Sequence, residues 1–131
     1  MVSTFWKYCT FKQGLETVFR GYHIIAMRYL WEIGEEGAGS GKVWLHVNEV
    51  LQEKGETKSR SSIIFFLNDM VDMDILDFRE KTGKGGYHRI YYPKFDEAGF
   101  KEHLAKTIIS KLMTEFQDET DEALRKILST M

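Results

Sequence analysis

The residues of this chain best suited to chemistry are cations, hydroxyls and amides rather than nucleophiles or metal ligands. Lys58, Ser59, Arg60, Ser61 and Ser62 follow one another, and a second group, Arg79, Lys81, Lys84 and Arg89, is set against a single acid, Glu80. Lysine and arginine neutralise phosphate, hydroxyls bond its oxygens, and Arg, Asn and apolar side chains read base edges. If Ile63, Leu67, Met70 and Val71 face a core, then Arg60, Ser61, Ile64, Phe65 and Asn68 share the opposite face of one helix. On that face Arg60 reads guanine or grips phosphate, Asn68 reads adenine, and Phe65 or Ile64 touches thymine methyls. A register one position away would instead send Ile64 and Phe65 into the core. The candidate set for contact with double-stranded DNA is therefore Lys58, Ser59, Arg60, Ser61, Ser62, Phe65, Asn68, Arg79, Lys81, Lys84 and Arg89. Asp69 and Asp72 would repel phosphate if they lay near it.

Other chemistries fit less well. The run from Glu36 through Gly37-Ala38-Gly39-Ser40-Gly41-Lys42 to Val43 is close to a phosphate loop. It has Glu36 where the first glycine belongs, Val43 where a Mg²⁺-binding hydroxyl belongs, and a strand expected after it in place of a helix. The four histidines, His23, His46, His88 and His103, lack ligand spacing, and Cys9 is the single cysteine, so neither a metal site nor a cofactor is expected. No nucleophile, base and orienting acid group together, which argues against an enzyme. A lone Cys9 excludes an intrachain disulfide, fits a reducing compartment and reads as inert packing.

The 131 residues make one domain's length of chain, 43% hydrophobic, with nine Phe, six Tyr and three Trp to build a core of large rings. A net charge of −2 does not by itself mark a nucleic-acid binder. Phosphate contact needs only a local cluster, and residues 96–131 carry eight acids against five cations, so the acidic surplus belongs to the C-terminal segment. There is no basic and then apolar leader, and no run approaches about 18 apolar residues, so a cytoplasmic protein without a membrane partner is expected.

These groups need elements to hold them. Thr10 and Gln13 are spaced as a capping box ahead of Leu15, Val18 and Phe19, which predicts a short first helix ending near Gly21. The apolar run from Tyr22 to Ile33 predicts a buried helix stopped by Gly34. Residues 34–41 read as a flexible glycine-rich loop and Lys42 to Leu45 as a strand stub. Val47, Val50 and Leu51 then predict a short helix stopped by Gly55. Thr57 or Ser59 caps the next helix, running to about Met73 with the stripe Ile63, Phe66, Leu67, Met70 and Val71. Residues 75–81 and 87–92 flank Thr82-Gly-Lys-Gly-Gly86 as a β-hairpin. After Asp96 a long stripe, Phe100, Leu104, Ile108, Leu112 and Phe116, breaks around 117–121 and resumes at Leu124 and Ile127; these seven form a candidate homodimer interface. The expected fold is α+β, mainly α: a winged helix-turn-helix with a small antiparallel hairpin wing and C-terminal dimerisation helices. Its divisions are 1–21 as a helical extension, 22–94 as the winged helix and 95–131 as the dimerisation segment.

In this setting the chain resembles the penicillinase/methicillinase repressor family, and more broadly the MarR-like regulators. The resembling residues are Met27-Arg-Tyr-Leu-Trp-Glu32, Val47-Asn-Glu-Val-Leu51, Arg60-Ser-Ser-Ile63 through Leu67, Met70-Val71, and Tyr91-Tyr-Pro93 leading into Phe95-Asp-Glu97. The resemblance implies a dimeric repressor that grips a palindromic operator through the second helix of the motif and is released by an inducing event; a small-molecule inducer is left open. The chain departs from the family in carrying Met73-Asp74 where a glycine usually separates helix from wing, and in its long glycine-rich insertion. Two other readings remain: a winged helix that binds protein through Ile64 and Phe65, and a sensor whose pocket is lined by Trp6, Tyr8, Phe11, Phe19 and Tyr22.

Overall fold

The computed structural model describes residues 11–131, so Trp6, Tyr8, Cys9 and Thr10 lie outside the described residues. Gly14–Thr17 forms one turn of 3-10 helix, where an α-helix was expected, and Gln13 makes no side-chain cap. A four-residue span cannot meet the nucleation cost of an α-helix by itself. What holds it is burial of Leu15, Val18 and Phe19.

Helix α1 (Gly21–Ile33) runs as expected and stops at Gly34, whose φ of 71° suits a residue without Cβ. It buries Tyr22, His23, Ile24, Ala26, Met27 and Leu30. Helix α2 spans Ser40–Gln52, a correction to the strand stub expected at Lys42 to Leu45. Val43, Val47 and Leu51 recur every four residues and are all buried, so the helical stripe begins one turn earlier than Val47. Burial of that stripe outweighs the poor helix propensity of Gly41. Helix α3 (Arg60–Asp72) is capped by Ser59, whose Oγ accepts the Ser62 N–H at 3.1 Å, and it buries Ile63, Phe66, Leu67 and Met70. Val71 is only half-buried.

α3 ends in a Schellman turn. Asp74 N–H donates to the Val71 carbonyl and Ile75 N–H to the Met70 carbonyl, with Asp74 at φ 63°. Asp74 therefore occupies the left-handed position that glycine usually fills, and its carboxylate meets Lys94 Nζ at 2.8 Å. Two antiparallel strands follow, β1 (Leu76–Gly83) and β2 (Gly86–Pro93), in register from Leu76↔Pro93 to Gly83↔Gly86. Lys84 and Gly85 make the two-residue turn between them. A third, one-residue strand is added where none was expected. Ala38 exchanges both backbone hydrogen bonds with Tyr91, each 2.9 Å, inside the segment read as a flexible loop. The element order and the hairpin make this a winged helix, mainly helical, as the sequence led us to expect.

The chain divides into two compact units after Asp96. The second holds α4 (Glu97–Glu115) and α5 (Gln117–Thr130), which pack on each other. The break falls at Phe116 alone (φ −135°, ψ 61°). The residues expected to form the break, 117–121, are instead the start of α5, where Asp118 and Glu119 suit the positive end of a helix. No helix among the described residues is long and apolar enough to cross a membrane.

Candidate nucleic-acid interface

The turn between α2 and α3 is held by two side chains of α2. Asn48 pairs with the backbone of Lys58 twice: its Oδ1 accepts the Lys58 N–H at 2.8 Å, and its Nδ2 donates to the Lys58 carbonyl at 3.1 Å. Trp44 Nε1 donates to the same carbonyl at 3.0 Å. These bonds satisfy the N–H and C=O of a residue that no helix or strand ladder serves, and they set where α3 begins. Above them Lys58 Nζ lies 4.9 Å from the centre of the Tyr22 ring.

From that start α3 presents Arg60, Ser61 and Phe65 to solvent, with Ile64 and Asn68 half-buried. Phe65 is 67% exposed whereas Phe66 is fully enclosed, so the core takes the neighbour and the register that buries Phe65 is excluded. Ser59 and Ser62 are occupied by the cap, their hydroxyls 3.0 Å apart. The Arg60 guanidinium lies against Gly41 in the first turn of α2, where a Cβ would stand 3.3 Å from Nη2.

Between α2, α3 and the wing is a cleft of about 900 Å³. The first turn of α2 contributes Ser40, Gly41 and Lys42, α3 contributes Arg60 and Ile64, and the wing contributes Arg79, Lys81, Tyr87, His88 and Arg89. Among the described residues lining it, Glu36 is the one acid. Lys42, Arg60 and Lys81 are exposed, and the helix N-termini add backbone N–H groups of the same polarity. Lys84 stands at the wing tip outside the lining, and its carbonyl lies 3.3 Å from His88 Nε2.

Two wing arginines are engaged within the protein. Arg79 donates to the carbonyls of Glu35 and Glu36, tying the wing base to the turn after α1, and its guanidinium lies over the Tyr92 ring. Arg89 stacks 3.9 Å above the Phe78 ring and donates to Asn68 Oδ1 at 3.0 Å. The same oxygen accepts the Tyr91 hydroxyl at 2.6 Å. With Oδ1 already accepting twice, the bidentate amide pairing that reads adenine is blocked, so Asn68 joins α3 to the wing.

Sequence reasoning missed Lys42, Asn48, Tyr87 and Tyr91. Lys42 was hidden by the strand assignment; the four-residue spacing of Val43, Val47 and Leu51 was the signal that could have placed it at a helix start. The rejected phosphate loop does run into a helix, contrary to expectation. The substitutions at Glu36 and Val43 still set it apart from one. No group of three or more potential metal ligands occurs among the described residues. The chain matches no family model and no curated protein. Among solved structures it is similar to that of a proposed transcriptional regulator from Thermoplasma acidophilum. The identity is 16%, the match covers 84% of this chain and 93% of the other, and the TM-score is 0.45.

Proposed function

We propose that the winged-helix unit binds double-stranded DNA, and that the protein acts in the cytoplasm as a dimeric repressor at a palindromic operator, without enzymatic activity. The observation that carries this is the cleft in which the starts of α2 and α3 and the wing bring Lys42, Arg60 and Lys81 together, with Glu36 as the acid of the lining. Phosphates following that cleft would meet cations from three elements, and α3 would then lie along the major groove. Arg60, drawn back against Gly41, suits phosphate better than a base edge. Lys84 extends the same strip to the wing tip, where Gly85 and Gly86, at φ 92° and 105°, allow close backbone approach. The C-terminal helices would supply the dimer, placing two copies of α3 on successive half-sites. The penicillinase/methicillinase repressor likeness is consistent with this arrangement.

The test is retention of duplexes enriched from a randomised synthetic pool, measured over a salt series. Binding should weaken linearly in log salt. Lys42→Ala, Arg60→Ala and Lys84→Ala should each weaken binding across sequences and lower the salt slope by about 1. A wild-type protein that retains no duplex at low salt overturns the proposal and favours the protein-interaction reading.

A further inference from the structure

α3 presents few hydrogen-bonding groups to base edges. Ser62 is taken up by the cap, Asn68 by the wing, and the Arg60 guanidinium lies back over the first turn of α2. What remains outward on its first two turns is the Ser61 hydroxyl and the Phe65 ring, with Ile64 opening into the cationic cleft beside them. A phenyl ring left 67% exposed on a helix whose next residue, Phe66, is fully enclosed is not there to fill the core. The cations that line the cleft with Ile64, the residue before Phe65, fix the chemistry of what comes to this face, because Lys42, Arg60 and Lys81 attract a polyanion and would repel a basic partner. In the major groove of a duplex, the apolar group within reach is the C5-methyl of thymine.

We infer that this protein reads its DNA site chiefly through thymine methyl groups, with Phe65 as the residue that covers them and Ile64 flanking it. Each methyl buried against the ring removes apolar surface from water, and one carbon of this size corresponds to a factor of about four in affinity. The bound half-site is accordingly one whose major-groove edge carries thymines where the second turn of α3 passes. Asp69, half-buried on the following turn, disfavours close approach of phosphate there and so keeps the contact on the base edge.

The inference rests on the duplex-binding reading, and the experiment separates the two. The probe is the duplex most enriched from the randomised pool, synthesised once with thymine and once with 2′-deoxyuridine at each thymine in turn. That exchange removes the methyl and leaves every hydrogen-bonding group in place. Wild-type protein should bind about fourfold more weakly at one or two uridine positions per half-site. Phe65→Ala should bind the two duplexes equally, and Phe65→Leu should keep part of the difference. Because Phe65 is exposed, both variants should keep wild-type circular dichroism and melting temperature. Tight binding of the thymine duplex with no loss at any uridine position overturns this inference and leaves duplex binding intact. So does a Phe65→Ala protein that still discriminates. Failure to retain any duplex overturns both.

Discussion

Asn68 holds the wing against α3 with one oxygen atom. Its Oδ1 accepts from Arg89 and from Tyr91, a residue only 3% exposed. Asn68→Ala would leave that hydroxyl buried without its acceptor, which costs about 1–3 kcal/mol. Asn68→Asp keeps the acceptor and adds charge opposite Arg89. Urea unfolding should show the first variant clearly destabilised and the second much less so; equal losses would mean that the oxygen is not what matters. Tyr91 also carries a pH dependence. Burial pushes its hydroxyl above the ordinary 10.0, opposed by the charge and hydrogen bond of Arg89. The folded state therefore holds this proton more tightly than the unfolded chain does. That contribution to stability is complete below the ordinary value and is lost as pH climbs through the raised one. Between about pH 9 and pH 11 the melting temperature of the wild type should fall more steeply than that of Tyr91→Phe, which has no proton there to lose. Parallel curves would show that Tyr91 is not the titrating group.

At the scale of elements, the wing is attached in two places. Arg79 reaches the carbonyls of Glu35 and Glu36, and Ala38 pairs with Tyr91 just beyond. Gly37 lies between these attachments at φ 69°, where a Cβ would collide with the Tyr91 carbonyl oxygen and press on Ile90. Gly37→Ala should cost more than about 2 kcal/mol, adding that collision to the left-handed strain. Gly34→Ala makes a matched control: its φ is 71° and its surroundings are open, so it should cost the backbone strain without the collision, and less than Gly37→Ala. Thermal denaturation of the pair measures the difference, and similar losses would mean that the Ala38–Tyr91 pairing yields easily. The same logic accounts for Asp74. A left-handed aspartate is tolerated at the end of α3 because the Schellman hydrogen bonds fix the turn and Lys94 neutralises the carboxylate, so the missing glycine did not cost the chain its wing.

For the whole molecule, charge and apolar surface are divided between the two units. Ion pairs Lys101–Glu97, Lys106–Glu102, Lys111–Glu115 and Arg125–Asp121 lie on exposed positions of α4 and α5. Such pairs contribute little stability apiece. The same helices expose Ile108, Leu112 and Ile127, and the break between them exposes Phe116, with Leu104 and Leu124 half-buried. These side chains are the surface on which the proposed dimer would form. Phe100 must be removed from the expected interface, because it is fully enclosed within the chain and has no surface to offer a second copy. Leu112→Glu combined with Ile127→Glu should convert a dimer to a monomer in sedimentation while leaving the helical circular dichroism unchanged. A dimer that survives both charges would place the contact elsewhere.

The sequence alone determined whatever one element can encode by its own periodicity and composition. The stripes of α1 and α3, Ser59 as a cap, the glycine-tipped hairpin and its cations are local patterns, and each is present. Local signals failed where a glycine-rich segment met a buried surface. Gly39-Ser40-Gly41 reads as loop by propensity, yet burial of Val43 and Val47 makes a helix begin there, and that moved Lys42 to the mouth of the cleft. Tertiary structure also decided what each exposed polar group is for. Asn68 and Arg89 look alike on paper as DNA contacts, but Asn68 lies within reach of Tyr91, a partner far away in sequence that no spacing rule connects, and Arg89 lies over Phe78, its diagonal neighbour across the hairpin. Hydrogen bonds are short-ranged, so only the folded chain says which of two suitable groups an amide will meet.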